Sequence, residues 1–177
     1  MKNRKERVAD TIYQARCLKT LQQLGLPTEG WFCEQIEDGG DSDTTCELCG
    51  CSRVRFLHHM RHPGVAGTIA VGCLCDGVMS GDELGAVARE REARNRAKRR
   101  QSFVHGRWSQ VWGGMNATRW QKKLRNGPLC QIRRDGSGRY AVWHKSRWCY
   151  LCRGKPLASF AQAADALFTV SDPRRNA

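Results

Sequence analysis

Five of the ten cysteines and three of the five histidines in this 177-residue chain fall in one stretch, from Cys46 to Asp82. Thiolates and imidazoles gathered in this way serve as metal ligands or as nucleophiles, and their spacing has to decide which. Cys46 and Cys49 form a C-x-x-C followed directly by Gly50. A tight turn of that kind aims two thiolates at one ion, and the glycine lets the backbone fold around them. Cys73 and Cys75 supply a second pair where a helix is expected to begin, and a helix N-terminus favours thiolate over thiol. The reading is a zinc centre with Cys46, Cys49, Cys73 and Cys75 as ligands. The second pair is C-x-C rather than the common C-x-x-C, so the fourth position stays open between Cys73, a histidine and Cys51, which sits beside the turn.

The histidines raise a different chemistry. His58, His59 and His62 stand in "HHMRHP". A histidine activating water beside a divalent ion cleaves phosphodiesters, but the ion needs further ligands besides that histidine. The return "TIAVG" has no His or Asn, and past Cys75 none occurs before Asn95. Half of such a site is missing, and the three histidines are read as facing the zinc, lining the hairpin or touching phosphate. Cys149-x-x-Cys152, with Cys130, invites a second metal reading. In a strand, however, those two side chains point to opposite faces, and the surrounding sequence reads as sheet.

The elements that must position these groups follow from periodicity. Val8, Ile12, Ala15, Leu18 and Leu21 recur at helical spacing over residues 5–24, and "LGLP" stops the helix. "GWFCEQIE" reads as a short strand and "DGGDSDTT" as an acidic loop. Residues 52–60 alternate, with Val54, Phe56 and Met60 on one face and Arg53, Arg55 and His59 on the other; "PGVAG" turns and "TIAV" returns. A knuckle, a hairpin and then ligands at a helix start resemble treble-clef zinc fingers of bacterial, phage and plasmid type. That resemblance implies a structural ion, and it keeps an HNH-like endonuclease as a third functional reading, since treble-clef scaffolds also carry those enzymes.

The charge is sorted along the chain. The net charge is +13, yet residues 1–81 hold nine Lys/Arg against ten Asp/Glu, while residues 82–177 hold twenty-one against seven. Such a field marks a polyanion partner. No apolar run approaches the roughly 18 residues that span a membrane, and the basic N-terminus lacks a signal-peptide core. The expectation is a cytoplasmic protein, and that reducing compartment favours metal ligation over disulfides.

From Asp82 to Val104 strong helix formers run from an acidic first turn to a basic last turn, and Arg96, Lys98, Arg99 and Arg100 stand at the basic end. Residues 105–128 read as one or two short helices broken at Gly113–Gly114, with Trp108 and Trp112 on a buried helical face. "LCQIRR", "RYAVWH" and "RWCYLCR" alternate as a three-stranded meander, and Phe160, Ala163, Ala164, Leu167 and Phe168 give a covering helix its apolar face. This unit resembles the sheet-plus-helix DNA-binding domains of the AP2 and integrase type. By that resemblance Arg133, Arg139, Trp143, Arg147 and Arg153 would contact the nucleic acid, consistent with arginine's pairing to guanine or phosphate and tryptophan's stacking.

The expected protein is α+β: an N-terminal helix and treble-clef region over 1–81, a basic helical linker over 82–127, and a three-stranded antiparallel sheet with one helix over 128–177. Its expected function is zinc-stabilised, non-enzymatic nucleic-acid binding, DNA ahead of RNA. The alternative is an interaction or inhibitor protein that docks its basic face on an acidic protein partner.

Overall fold

The computed structural model describes residues 4–40, 44–114, 116–124 and 128–172, with side chains from residue 11 onward. The chain is α+β and forms two compact units, Met1–Ala97 and Lys98–Ala177. The first begins with α1 (Arg4–Gln23) and continues with β1 (Phe32–Asp38), β2 (Phe56–Arg61) and β3 (Ile69–Val71), an antiparallel sheet in that order. Two helices follow, α2 (Cys73–Ser80) and α3 (Glu83–His105), and the boundary between the units falls within α3.

The α1 helix forms where expected, but it is rotated from its expected face. Cys17 and Leu21 are buried and Tyr13 is half-buried, whereas Ile12 is 59% exposed and Ala15 also faces out. Val8 lies outside the described side chains. The inward stripe runs through Tyr13, Cys17 and Leu21 at spacings of four, so a cysteine takes the place of an aliphatic residue at its centre. The helix ends at Gly25, in the left-handed conformation with φ +67°. The Leu26 amide bonds the Leu21 carbonyl and Leu26 packs back on the core, closing the last turn.

The sequence leads from Cys75 towards a single helix, yet two form. Gly81 adopts φ +67°, and its amide bonds the Val78 carbonyl and stops α2. Asp82 then accepts from the Gly85 amide at 2.8 Å and opens α3.

The second unit differs more from expectation. Residues 109–123, read as part of a helical linker, form β4 (Ser109–Trp112) and β5 (Thr118–Lys123). They extend the meander of β6 (Leu129–Arg134), β7 (Tyr140–His144) and β8 (Arg147–Cys149) to five antiparallel strands in sequence order, not three. The "RWCYLCR" run breaks at Tyr150, and β9 (Leu151–Cys152) and β10 (Lys155–Pro156) make a separate small hairpin. The helical reading of 105–128 fails because Thr118 and Trp120 alternate with Arg119 and Gln121 after the Gly113–Gly114 turn, and the spacing of four between Trp108 and Trp112 fits a period of two as well as a helix. Trp112 is 81% exposed rather than buried, while Trp108 packs edge-to-face on Phe103 and Phe160.

The last helix, α4 (Phe160–Ser171), covers one face of the sheet with Ala163, Ala164, Leu167 and Phe168, as expected. Ser159 accepts from the Gln162 amide, and Gln162 Oε1 accepts from the Ala158 amide, which fixes the first turn. The face beneath α4 carries Cys130, Ile132 and Val142. Ile132 is fully buried. Ile132→Ala is expected to cost about 2–5 kcal/mol, the range for truncating a core aliphatic, read from the urea midpoint of the intact chain.

Candidate metal centre and basic sheet face

Three sulfurs of the first unit come together, those of buried Cys46 and Cys75 and of exposed Cys49, and a fourth, from buried Cys17, lies beside Cys75. Cys46 and Cys49 leave the turn after β1, and Cys75 leaves the first turn of α2; one donor atom from each lies within 4.8 Å of the others. Cys46 Sγ and Cys75 Sγ are 3.6 Å apart, and Cys17 Sγ reaches in from α1 to 3.9 Å from Cys75 Sγ. Thiolates about 2.3 Å from a common tetrahedral ion would stand about 3.8 Å apart, and the two measured separations bracket that figure. None of the four forms a disulfide. The cluster is a possible metal site, and its donors are those a thiophilic ion selects.

The electrostatics favour a deprotonated sulfur at the centre. Cys46 is pushed down to about 5, first by its hydrogen bond with Cys75 and then, against the cost of burial, by the backbone amides of Cys49, Gly72 and Leu48. Cys75 is displaced upward by sharing that bond with Cys46 and by burial. The Tyr13 hydroxyl lies 2.9 Å from Cys75 Sγ, an outer partner for the same sulfur. Burial raises Cys17, and its hydrogen bonds with Tyr13 and Cys75 partly offset the rise.

Cys73, expected beside Cys75, points elsewhere. The two stand two positions apart in helical backbone, about 200° around the axis, so their side chains leave on opposite sides. Cys73 meets His58 and Glu90 within 4.8 Å. It is pushed up to about 12 by burial first, then by the Glu90 carboxylate beside it. Cys17, rather than Cys73, is the further sulfur that lies beside Cys75. The open question of the fourth position was framed around Cys73, the histidines and Cys51, and the sequence signal for Cys17 was its place in the helical stripe. Cys51 is exposed and its thiol bonds the Ser52 carbonyl at 3.5 Å.

The histidines separate. His58 shares the parity of Phe56 and Met60 on β2 and is fully buried. His59 faces the other way and pairs with Glu37 at 3.0 Å, and His62 packs on Trp31 with ring centroids 5.2 Å apart. Among the described residues every metal-type group lies in the first unit, and none includes Cys130, Cys149 or Cys152.

The basic residues also sort by position. Arg99 pairs with Asp172 at 3.2 Å and Arg100 with Asp165, so both are engaged by α4 carboxylates rather than projecting from the sheet. Arg96 is half-buried and Lys98 exposed. Strand register places Arg119 beside Arg133, and Gln121 beside Gln131, on the sheet face opposite the α4 core. Trp143 lies beside Trp148 on that face, their rings meeting edge-on at 5.3 Å, and Trp143 is 37% exposed. Arg133 stacks its guanidinium 4.9 Å over Trp148 and bonds the Tyr150 hydroxyl, and Arg139 lies 5.1 Å over Tyr150 while pairing with Asp135. Arg147, opposite His144, falls on the α4 side of the sheet, and Arg153 occupies the exposed turn between β9 and β10 with φ 49°.

Comparison with protein-family models, with curated proteins and with solved structures finds no match for this chain.

Replacing Cys17 by Ser should weaken binding of a thiophilic divalent ion by at least about tenfold, since even outer-partner losses cost about 10–100-fold. Cys51→Ser should leave affinity unchanged. Competition against a chromophoric chelator measures both.

Proposed function

We propose that the protein is a zinc-stabilised nucleic-acid-binding protein. Zinc fits the sulfur donor set best, and Cys17, Cys46, Cys49 and Cys75 would hold it as a closed structural centre that supplies folding free energy. The order of the elements around those donors, a knuckle, a hairpin and a helix start, supports the treble-clef reading. The nucleic acid would lie on the sheet of the second unit.

The observation that carries this reading is the sheet face away from α4. It presents Arg119, Lys123 and Arg133 from adjacent strands, with Trp143, Trp148 and Tyr150 interleaved and Arg139 at its margin. Guanidinium groups already placed over aromatic rings are set for phosphate oxygens or base edges with less side-chain freedom left to lose. Tryptophan adds a surface on which a base can stack. The surplus of basic residues after position 82 supplies the sequence-independent part of the attraction.

Affinity for mixed-sequence DNA and RNA oligonucleotides, measured by fluorescence anisotropy between about 50 and 200 mM salt, tests the reading. A steep fall with salt is expected, and the double variant Lys123→Ala, Arg139→Ala should flatten the log–log slope by about one per lost phosphate contact. Trp143→Ala should weaken binding by about 1–3 kcal/mol with the slope kept. Absence of binding to either nucleic acid at about 50 mM salt would overturn the proposal and favour an acidic protein partner for the basic face.

A further inference from the structure

A second donor group in the first unit is separate from the four sulfurs. His58 is fully buried on β2, and its Nδ1 lies 2.5 Å from Asp76 Oδ2. Arg89 clamps the same carboxylate, at 2.9 Å to Oδ1 and 3.1 Å to Oδ2. An ionised, clamped carboxylate has no proton to give, so Nδ1 donates to it. In the neutral ring that leaves Nε2 as an outward lone pair. Nε2 is buried and has no hydrogen-bond partner. It faces Glu90 Oε2 at 3.7 Å, beyond hydrogen-bond range, and the Cys73 thiol completes a group whose donor atoms all lie within 4.8 Å.

Two explanations compete for an arrangement of this kind. A buried ion-pair network would close the gap between His58 and Glu90 to about 3 Å, because an unsatisfied buried nitrogen costs about 1–3 kcal/mol. A shared cation instead holds nitrogen and oxygen apart, at about 3.4 Å for bonds of about 2.0–2.1 Å to each. The observed spacing is on the cation's side. The partnering is also what an imidazole ligand requires. One ring nitrogen is fixed by a carboxylate, which sets the tautomer and raises the basicity of the other. Glu90 itself is held in place by Arg94, which donates to Oε1 and leaves Oε2 turned inward.

We propose that His58 Nε2, Cys73 Sγ and a carboxylate oxygen of Glu90 form a second site for a zinc-class divalent cation. Nitrogen, sulfur and oxygen donors of these types all bind such ions, and three protein ligands leave one position for water. Cys33, whose donor atom lies within 4.8 Å of those of His58 and Asp76, adds a neighbouring thiol at the β1 bulge. The site joins strand β2 to the start of α2 and to α3 about two turns in. It is independent of the four-sulfur centre, from which the helical phase of α2 separates it.

Metal analysis of the purified full chain, with zinc and then cobalt as probe ions, decides the matter. Two zinc ions per chain are expected in the wild type, and one in Glu90→Gln and in Cys73→Ser. Cys46→Ser should lose the other ion and keep this one, so failure of one centre reads separately from failure of the other. Cobalt substitution should give strong sulfur-to-metal charge transfer from the four-sulfur centre and a weaker band, lost in Cys73→Ser, from this one. Peptide-level alkylation supplies a readout if Cys73→Ser fails to fold: zinc should protect Cys73 in the wild type and not in Glu90→Gln. Glu90 is 15% exposed, and that variant should retain its far-ultraviolet spectrum. One zinc per chain in the wild type that is lost in Cys46→Ser and kept in Glu90→Gln, or two that persist in a folded Glu90→Gln with Cys73 still protected, would overturn the proposal.

Discussion

The first unit depends on the phase of a single helical turn. Cys73 and Cys75 stand two positions apart in α-helix, and about 200° of rotation sends their sulfurs to opposite sides. Cys75 therefore belongs to α1 and the knuckle, and Cys73 to β2 and α3. A C-x-x-C at the same place would turn its second sulfur about 300°, to within about 60° of the first and close enough to share an ion. The shorter spacing divides the donors into two groups. Asp76, the next residue along α2, is fully buried and pairs with His58 and Arg89, which ties α2 to β2 and α3. Burial alone would raise the Asp76 carboxyl, but the hydrogen bonds from His58 and Arg89 outweigh it and hold it below its ordinary value.

In the second unit the organising constraint is the two-sidedness of a sheet. One face packs on α4 through Ile132, Val142 and Cys130, and the other carries arginines spaced by aromatic rings. Lys122 falls on the apolar side by register. It keeps its ammonium satisfied by donating to the Ser102 and Phe103 carbonyls while its stem and charge lie over Phe103 and Trp108. Arg99 and Arg100 on α3 are answered by α4 carboxylates. Part of the positive charge that the composition shows is thus internal structure, and the sheet face holds the part arranged with stacking partners.

Much of this was legible before any coordinates. The knuckle cysteines, the hairpin, the start of α3 and the apolar face of α4 all followed from period and turn chemistry. Three features did not, each for a physical reason. Cys17 sits 29 residues before the knuckle and has no motif around it; only its membership of the buried helical stripe marks it. The hairpin of β4 and β5 was hidden because tryptophans four apart suit a strand face as well as a helix face. The helix-borne partners of His58 are not legible in the sequence because Asp76 and Glu90 are carboxylates, not His or Asn, in a stretch whose acidic residues suit a helix start equally well.

Cys17 and Cys75 meet across 58 residues of chain. A polypeptide leaving the ribosome N-terminus first presents α1 early, with a thiol that cannot find its neighbours until α2 has emerged. The knuckle pair, Cys46 and Cys49, is a local turn and is ready sooner. Order of synthesis therefore places the short-range pair ahead of the long-range closure, whose entropy cost grows only slowly with loop length. During that interval Leu21 can meet Trp31, Leu48, Met60 and Val71 of its apolar cluster, and only Cys75 and Met79, which arrive with α2, complete it.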